Sequence, residues 1–120
     1  MNSLVGKYRL VAHGVFTPGG EYKATSSYFY GELYYGADGT LYVLINFSRT
    51  PESARDNYGY VGTYRIKSQN VVEHRMTVAT ASKQVNSVEE RTFEVRGSEL
   101  VLGRIFENGD RFEGRWQKID

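Results

Sequence analysis

Apolar and aromatic residues alternate with polar ones along most of the chain, and turn-forming residues break the alternation at short, even intervals. That is the period-two pattern of half-buried β-strands. Leu4 to Phe16 reads as a long first strand kinked at Gly14 and closed by Thr17-Pro18-Gly19-Gly20. Ser27 to Tyr35 is the second strand, and Ala37-Asp38-Gly39 turns it into Leu41 to Phe47. Thr50-Pro51-Glu52-Ser53 combines an N-cap, a proline at the first helical position and an early acid. It predicts one short helix after the third strand, from Pro51 to about Asn57. The remaining strands are Tyr58 to Lys67, Val71 to Ala79, Val85 to Val95, Leu100 to Phe106 and Arg111 to about Lys118. Gly97-Ser98 and Asn108-Gly109 mark the last two hairpins.

Eight short strands joined in sequence predict an all-β, antiparallel, up-and-down arrangement over residues 1–120, one domain. A phrase repeated along the chain favours an eight-stranded β-barrel over a sandwich. Val5-Gly6-Lys7-Tyr8-Arg9-Leu10 returns as Val61-Gly62-Thr63-Tyr64-Arg65-Ile66, and more loosely as Gly114-Arg115-Trp116. Glycine and an aromatic two residues apart share one face of a strand, and glycine admits close approach of a ring or a neighbouring strand. In a closed meander the first and last strands pair, so Tyr8 and Trp116 are expected at one floor.

Composition narrows the function classes. A formal net charge of +1, with no basic block, leaves no nucleic-acid footprint. The absence of cysteine excludes disulfides, zinc–thiolate sites and cysteine nucleophiles, and fits a reducing compartment. The start of the chain lacks a charged segment followed by an apolar one, and no apolar run approaches membrane-spanning length. A cytoplasmic protein, without membrane or nucleic-acid partner, is the expectation. No phosphate loop, serine elbow or His-Glu-x-x-His phrase is present, and no cofactor is expected.

The order of several phrases resembles the bacterial lipocalin-like domain, within the calycin group of small β-barrels. Leu4 to Leu10 is similar to that family's glycine-x-tryptophan phrase, with tyrosine in place of tryptophan. Gly31 to Tyr35 with Asp38-Gly39, Tyr60 to Tyr64, Val72-Glu73-His74, Arg91-Thr92-Phe93, Gly97 to Leu102 and Trp116 continue the match over nearly the whole chain. The resemblance implies a barrel with an internal cavity and says little about chemistry.

Hairpin turns then predict the interior. On Val71 to Ala79 the set Val72, His74, Met76 and Val78 is more apolar than Glu73, Arg75 and Thr77, and is expected inside. A following loop centred near Ser82 and Lys83 sets His74 opposite Arg91, Val72 opposite Phe93 and Met76 opposite Glu89. The Gly97-Ser98 turn sets Val95 opposite Leu100, Phe93 opposite Leu102 and Arg91 opposite Arg104. Phe93, Val95, Leu100 and Leu102 would form an apolar floor beneath a polar cluster of His74, Glu89, Arg91 and Arg104. Two facing arginines need an anion. Glu89 serves one, and a ligand carboxylate or phenolate could serve the other. A strict two-residue turn at Asn108-Gly109 would point Trp116 outward. A bulge there brings it inside, opposite Leu102, with Arg104 opposite Gly114, and is preferred for a sole tryptophan.

His74 could act as a general acid or base, or simply be a hydrogen-bonded cavity histidine. His13 is placed outside or at a kink, without a role. Two histidines without acidic companions make no metal site. Glu89 and Glu90 point to opposite faces, which argues against a two-carboxylate glycosidase. Strand propensity explains most tyrosines, although an exposed set (Tyr28, Tyr30, Tyr34 and Tyr42 among the candidates) would suit a homodimer surface. The facing of Asn46 stays open, because Tyr42 and Leu44 compete with Leu41, Val43 and Ile45 for the interior.

Three functions follow. A small-molecule carrier or sensor would hold a compact, partly apolar, anionic ligand. Met76, Tyr64 and Phe93 would pack it, and Arg91, Arg104 and His74, with Glu89, would orient it. A cofactor-independent isomerase or cyclase would use His74 or Glu89 to move a proton and Arg91 to stabilise negative charge. A structural or interaction barrel would be filled by its own side chains. No catalytic residue is assigned.

Overall fold

A computed structural model describes residues 3–26, 28–50 and 56–120. The strands are β1 (Gly6–Phe16), β2 (Tyr22–Ala24), β3 (Tyr30–Tyr35), β4 (Thr40–Asn46), β5 (Asn57–Ser68), β6 (Val71–Ala79), β7 (Ser87–Arg96), β8 (Glu99–Ile105) and β9 (Arg111–Lys118). Sequential neighbours from β3 to β9 pair antiparallel, β1 pairs β3, and β1 pairs β9 to close an eight-stranded barrel. The short β2 extends the sheet beyond β1, through Gly14–Ala24 to Phe16–Tyr22. Sequence patterning misses β2 because three exposed residues carry no alternation to read. Residues 51–55 of the predicted helix lie outside the described residues, while Asp56 has 3-10 conformation and Asn57 opens β5. The helical turn that is described is a 3-10 turn, Ser82–Gln84, between β6 and β7. No helix is long and apolar enough to cross a membrane.

The core fills one half of the barrel. Leu4, Leu33, Tyr35, Leu41, Val72, Met76 and Leu100 are fully buried, with Tyr8, Leu10 and Trp116 nearly so. Each aliphatic side chain taken from water contributes about 1.5–3 kcal/mol. Tyr8 and Trp116 share this floor, although Trp116 pairs with Leu10, and Tyr8 with Lys118. On β4 the interior belongs to Leu41, Val43 and Ile45. Leu44 and Asn46 face outward, and Tyr42 stacks on Tyr34 outside the barrel at 5.3 Å.

Three irregularities set the details of facing. In β1 the pairing with β9 skips from Leu10–Trp116 to Ala12–Arg115, leaving Val11 as a bulge. Val11 is exposed, and beyond it the inward set changes parity, so that His13 pairs with inward Gly114 and Val15 with Phe112. His13 therefore points inside, contrary to the expectation from simple alternation. In β6 the pairing with β5 skips from Val61–Val78 to Gly62–Met76, with Thr77 as the extra residue. Val78 is consequently turned outward and exposed, not inward with Met76.

The third irregularity is the β6–β7 connection. Val72 lies opposite Arg91, His74 opposite Glu89 and Met76 opposite Ser87. That is two residues away from the symmetric hairpin. The 3-10 turn and the left-handed Asn86 (φ 61°), whose N–H donates to the Met76 carbonyl at 2.7 Å, take up the difference. An even shift preserves facing, so Arg91 and Phe93 still point in.

The last hairpins follow their turn chemistry. Gly97-Ser98 pairs Val95 with Leu100 and Phe93 with Leu102. Val95 nevertheless lies past the barrel end and is exposed, so it is no part of the floor. At Asn108-Gly109 the loop closes between Phe106 and Asp110, with Gly109 at φ 89°. This three-residue loop turns Trp116 inward, but the register runs the other way from the expected bulge. Leu100 meets Trp116, Leu102 meets Gly114 and Arg104 meets Phe112.

Candidate ligand-binding cavity

The other half of the barrel is open. A cavity of about 410 Å³ lies there, within the range of small-molecule sites. Its apolar walls come from Ile45 and Phe47, Leu102 and Phe106, and Phe112 and Trp116. Phe112 and Trp116 alternate along β9 with outward Arg111, Glu113 and Arg115, and the small Gly114 leaves room for the indole. A Cβ there would lie 3.0 Å from Trp116 Nε1.

Polar groups converge on one side. Glu89 Oε1 accepts from Arg91 Nη2 at 2.9 Å and from Arg104 Nη1 at 2.7 Å. Arg91 is nearly buried and Glu89 half-buried, whereas the Arg104 side chain is 44% exposed at the rim. Among the described residues one carboxylate thus answers two guanidinium groups, leaving one positive charge in excess. Partial burial works to raise the Glu89 pKa, but the Arg91 hydrogen bond and charge, with Gln84 and Arg104, hold it below the usual carboxylate value. Burial works against the Arg91 charge, and Tyr60 and Glu89 more than offset it.

Gln84, carried by the 3-10 turn, donates Nε2 to Tyr58 Oη at 2.7 Å and to Glu89 Oε2 at 3.2 Å. Those contacts fix the amide orientation, because its oxygen could not face the carboxylate. Gln84 Oε1 is then the buried side-chain atom left without a partner among the described residues, in a side chain that lines the cavity. Opposite, His13 Nδ1 bonds Thr25 Oγ1 at 2.8 Å, and its ring lies 4.6 Å from Phe112 and 5.3 Å from Phe47. Burial lowers the His13 pKa to about 4.

Behind this wall, His74 is sealed in the core. Its Nε2 lies 2.6 Å from Tyr35 Oη and its Nδ1 2.7 Å from Tyr60 Oη. Burial and then the Arg91 charge lower its pKa to about 3, so the imidazole is neutral. Burial raises the hydroxyl pKa of Tyr35 and of Tyr60. Tyr35, His74 and Tyr60 form one bonded group in the dry core, and Arg91, Glu89, Arg104 and Gln84 a second one towards the cavity rim, with the Arg91 charge acting on Tyr60.

Of the residues singled out from sequence, Arg91 and Arg104 line the cavity and Glu89 links them. His74, Met76 and Phe93 lie in the packed core behind it. Tyr64 packs edge-on against Tyr35 at the closed end, its hydroxyl donating to the Gly36 carbonyl at 2.7 Å. Sequence reasoning missed His13, Gln84, Phe47, Phe106 and Phe112. The Val11 bulge hides His13, and the irregular β6–β7 connection hides Gln84. The three phenylalanines sit near strand ends, where alternation is weakest. Among the described residues no group of three His, Cys, Asp or Glu could hold a metal ion.

No protein-family model matches the chain, and no curated protein matches it at a significant level. Among solved structures the chain is similar to a redesigned β-barrel, with a TM-score of 0.53 and 12% identity over 98% of this chain and 92% of that one. At that identity the likeness concerns the fold: a closed antiparallel β-barrel, here with an open half.

Proposed function

We propose that this barrel is a small-molecule binding protein of the lipocalin-like kind. It holds a compact, partly apolar anion in the cavity between Trp116 and the arginines. One observation carries the reading: an apolar cavity of about 410 Å³ has two guanidinium groups at its side and, among the described residues, a single carboxylate to answer them. An anionic ligand would supply the missing charge at Arg104, where a charge-assisted bond forms without burying a lone ion. The unpartnered Gln84 Oε1 would accept from a ligand hydroxyl or amine. A barrel filled by its own side chains fits poorly with the open half.

Trp116, the sole tryptophan, lines the cavity and reports on occupancy. Titration with 2-naphthoate is expected to quench its fluorescence, with affinity about tenfold or more above that for the neutral 2-naphthalenemethanol, a difference of about 1.4 kcal/mol. Arg104→Gln should remove most of that preference while leaving stability nearly unchanged, because its side chain is largely solvated. Equal affinities for acid and alcohol, or no quenching by either, would overturn the reading.

A further inference from the structure

We infer that the Tyr60 hydroxyl is a preorganised hydrogen-bond donor aimed into the cavity, a site for the carbonyl, enolate or phenolate oxygen of a ligand. The inference rests on the cavity reading above and adds the chemistry of the ligand's polar end.

The hydrogen-bond bookkeeping of the buried chain leads there. Tyr35 is fully buried, and the partner its hydroxyl has among the described residues is His74 Nε2. A buried hydroxyl with one neighbour donates to it, since otherwise its proton has no acceptor in a dry core. His74 Nε2 therefore accepts. A neutral imidazole carries one N–H, which must then be on Nδ1, and Nδ1 faces Tyr60 Oη at 2.7 Å. The Arg91 guanidinium also acts on this hydroxyl, and it can only donate. The imidazole thus gives hydrogen to Oη, the guanidinium offers no acceptor, and neither can take the phenol's own proton.

The direction left is the cavity. Tyr60 and Arg91 line it, whereas His74 and Tyr35 do not. Burial keeps the phenol protonated at neutral pH, so it remains a donor. The imidazole donor onto its oxygen, with the Arg91 charge nearby, polarises the O–H and strengthens what it can give. A ligand oxygen carrying partial negative charge would meet a fixed dipole with Arg91 beside it, the arrangement that stabilises oxyanions. Glu89 accepts from the guanidinium, and among the described residues no hydrogen bond joins it to the phenol. His74 is a positioning residue here, acting through Tyr60.

Two measurements test the inference. On the intact protein, long-range ¹H–¹⁵N NMR correlations of the histidine rings, with His13→Gln to assign the two sets, should place the His74 proton on Nδ1. A proton on Nε2 would overturn the inference without any change to the wall. Second, 4-nitrophenol, whose phenolate absorbs in the visible, should quench Trp116 and ionise about one pH unit or more lower when bound, a shift of about tenfold in its ionisation equilibrium. In Tyr60→Phe, which leaves Arg91 in place, that shift should shrink several-fold. Quenching with an unshifted ionisation, or with the same shift in Tyr60→Phe, overturns the role of Tyr60 and leaves the cavity standing. No quenching by 4-nitrophenol or by 2-naphthoate overturns both.

Discussion

Between pH 6.5 and about 4 this protein is expected to lose stability steeply. Two histidines are buried in the neutral form: His74, with a pKa lowered to about 3, and His13, lowered to about 4. Both unfolded-state values lie near 6.5, so in the interval between the two states' values the unfolded chain binds protons that the folded one refuses. Stability therefore falls as pH drops. Each site contributes at most about 1.4 kcal/mol per pH unit. His74 should approach that limit, because both ring nitrogens are committed and no water reaches it. His13 should contribute less, since its ring opens onto the cavity. A domain of this size has about 5–15 kcal/mol in hand, so the two sites together can remove a large part of it before His74 protonates in the native state. Urea unfolding at pH 7, 6 and 5 checks this. A flat free energy across that range would contradict the buried neutral histidines, and His13→Gln should reduce the slope without abolishing it.

Gly62→Ala should be among the most damaging single-methyl additions in the chain. At this position β5 meets the Thr77 bulge of β6 so closely that a Cβ would lie 1.8 Å from the Arg75 carbonyl oxygen and 2.9 Å from its carbon. The obstruction is backbone on a paired strand, so relief requires moving the ladder itself. A loss of about 3 kcal/mol or more is expected, enough to leave part of the protein unfolded at equilibrium. Gly19→Ala is the matched control: its nearest neighbour would be Thr17 Oγ1 at 3.9 Å, in a solvent-exposed turn, and a change within about 0.5 kcal/mol is expected. Denaturant midpoints of the two variants separate the outcomes. Equal midpoints would mean that β5 and β6 slide apart at little cost.

Gly62 also shows what was legible beforehand. The repeated glycine–aromatic phrase announces close approach but not the partner. At Gly62 the partner is the neighbouring strand's backbone, while at Gly114 it is the Trp116 ring two residues on. Strand order and closure follow from turns that the chain spells locally, such as Gly97-Ser98, whose register is the expected one. The facing of Arg91 and Phe93 survives a two-residue slip because alternation is insensitive to even shifts. Odd insertions leave no such protection. The bulges at Val11 and Thr77 turn His13 in and Val78 out, and neither residue differs in type from its neighbours in a way that marks a bulge. The candidate site was accordingly half legible. The pair of arginines with Glu89 could be found, but the aromatic walls, Gln84 and His13 depend on irregular backbone that period-two reasoning averages away.

The bulge at Val11 has one more consequence. Because a single unpaired residue resets the phase of β1, the two halves of that strand turn opposite parities inward. Tyr8 and Leu10 anchor the foundation, while His13, past the reset, turns to the doorway. Selection, or an engineer, could therefore retune what this barrel grips while leaving untouched what keeps it folded.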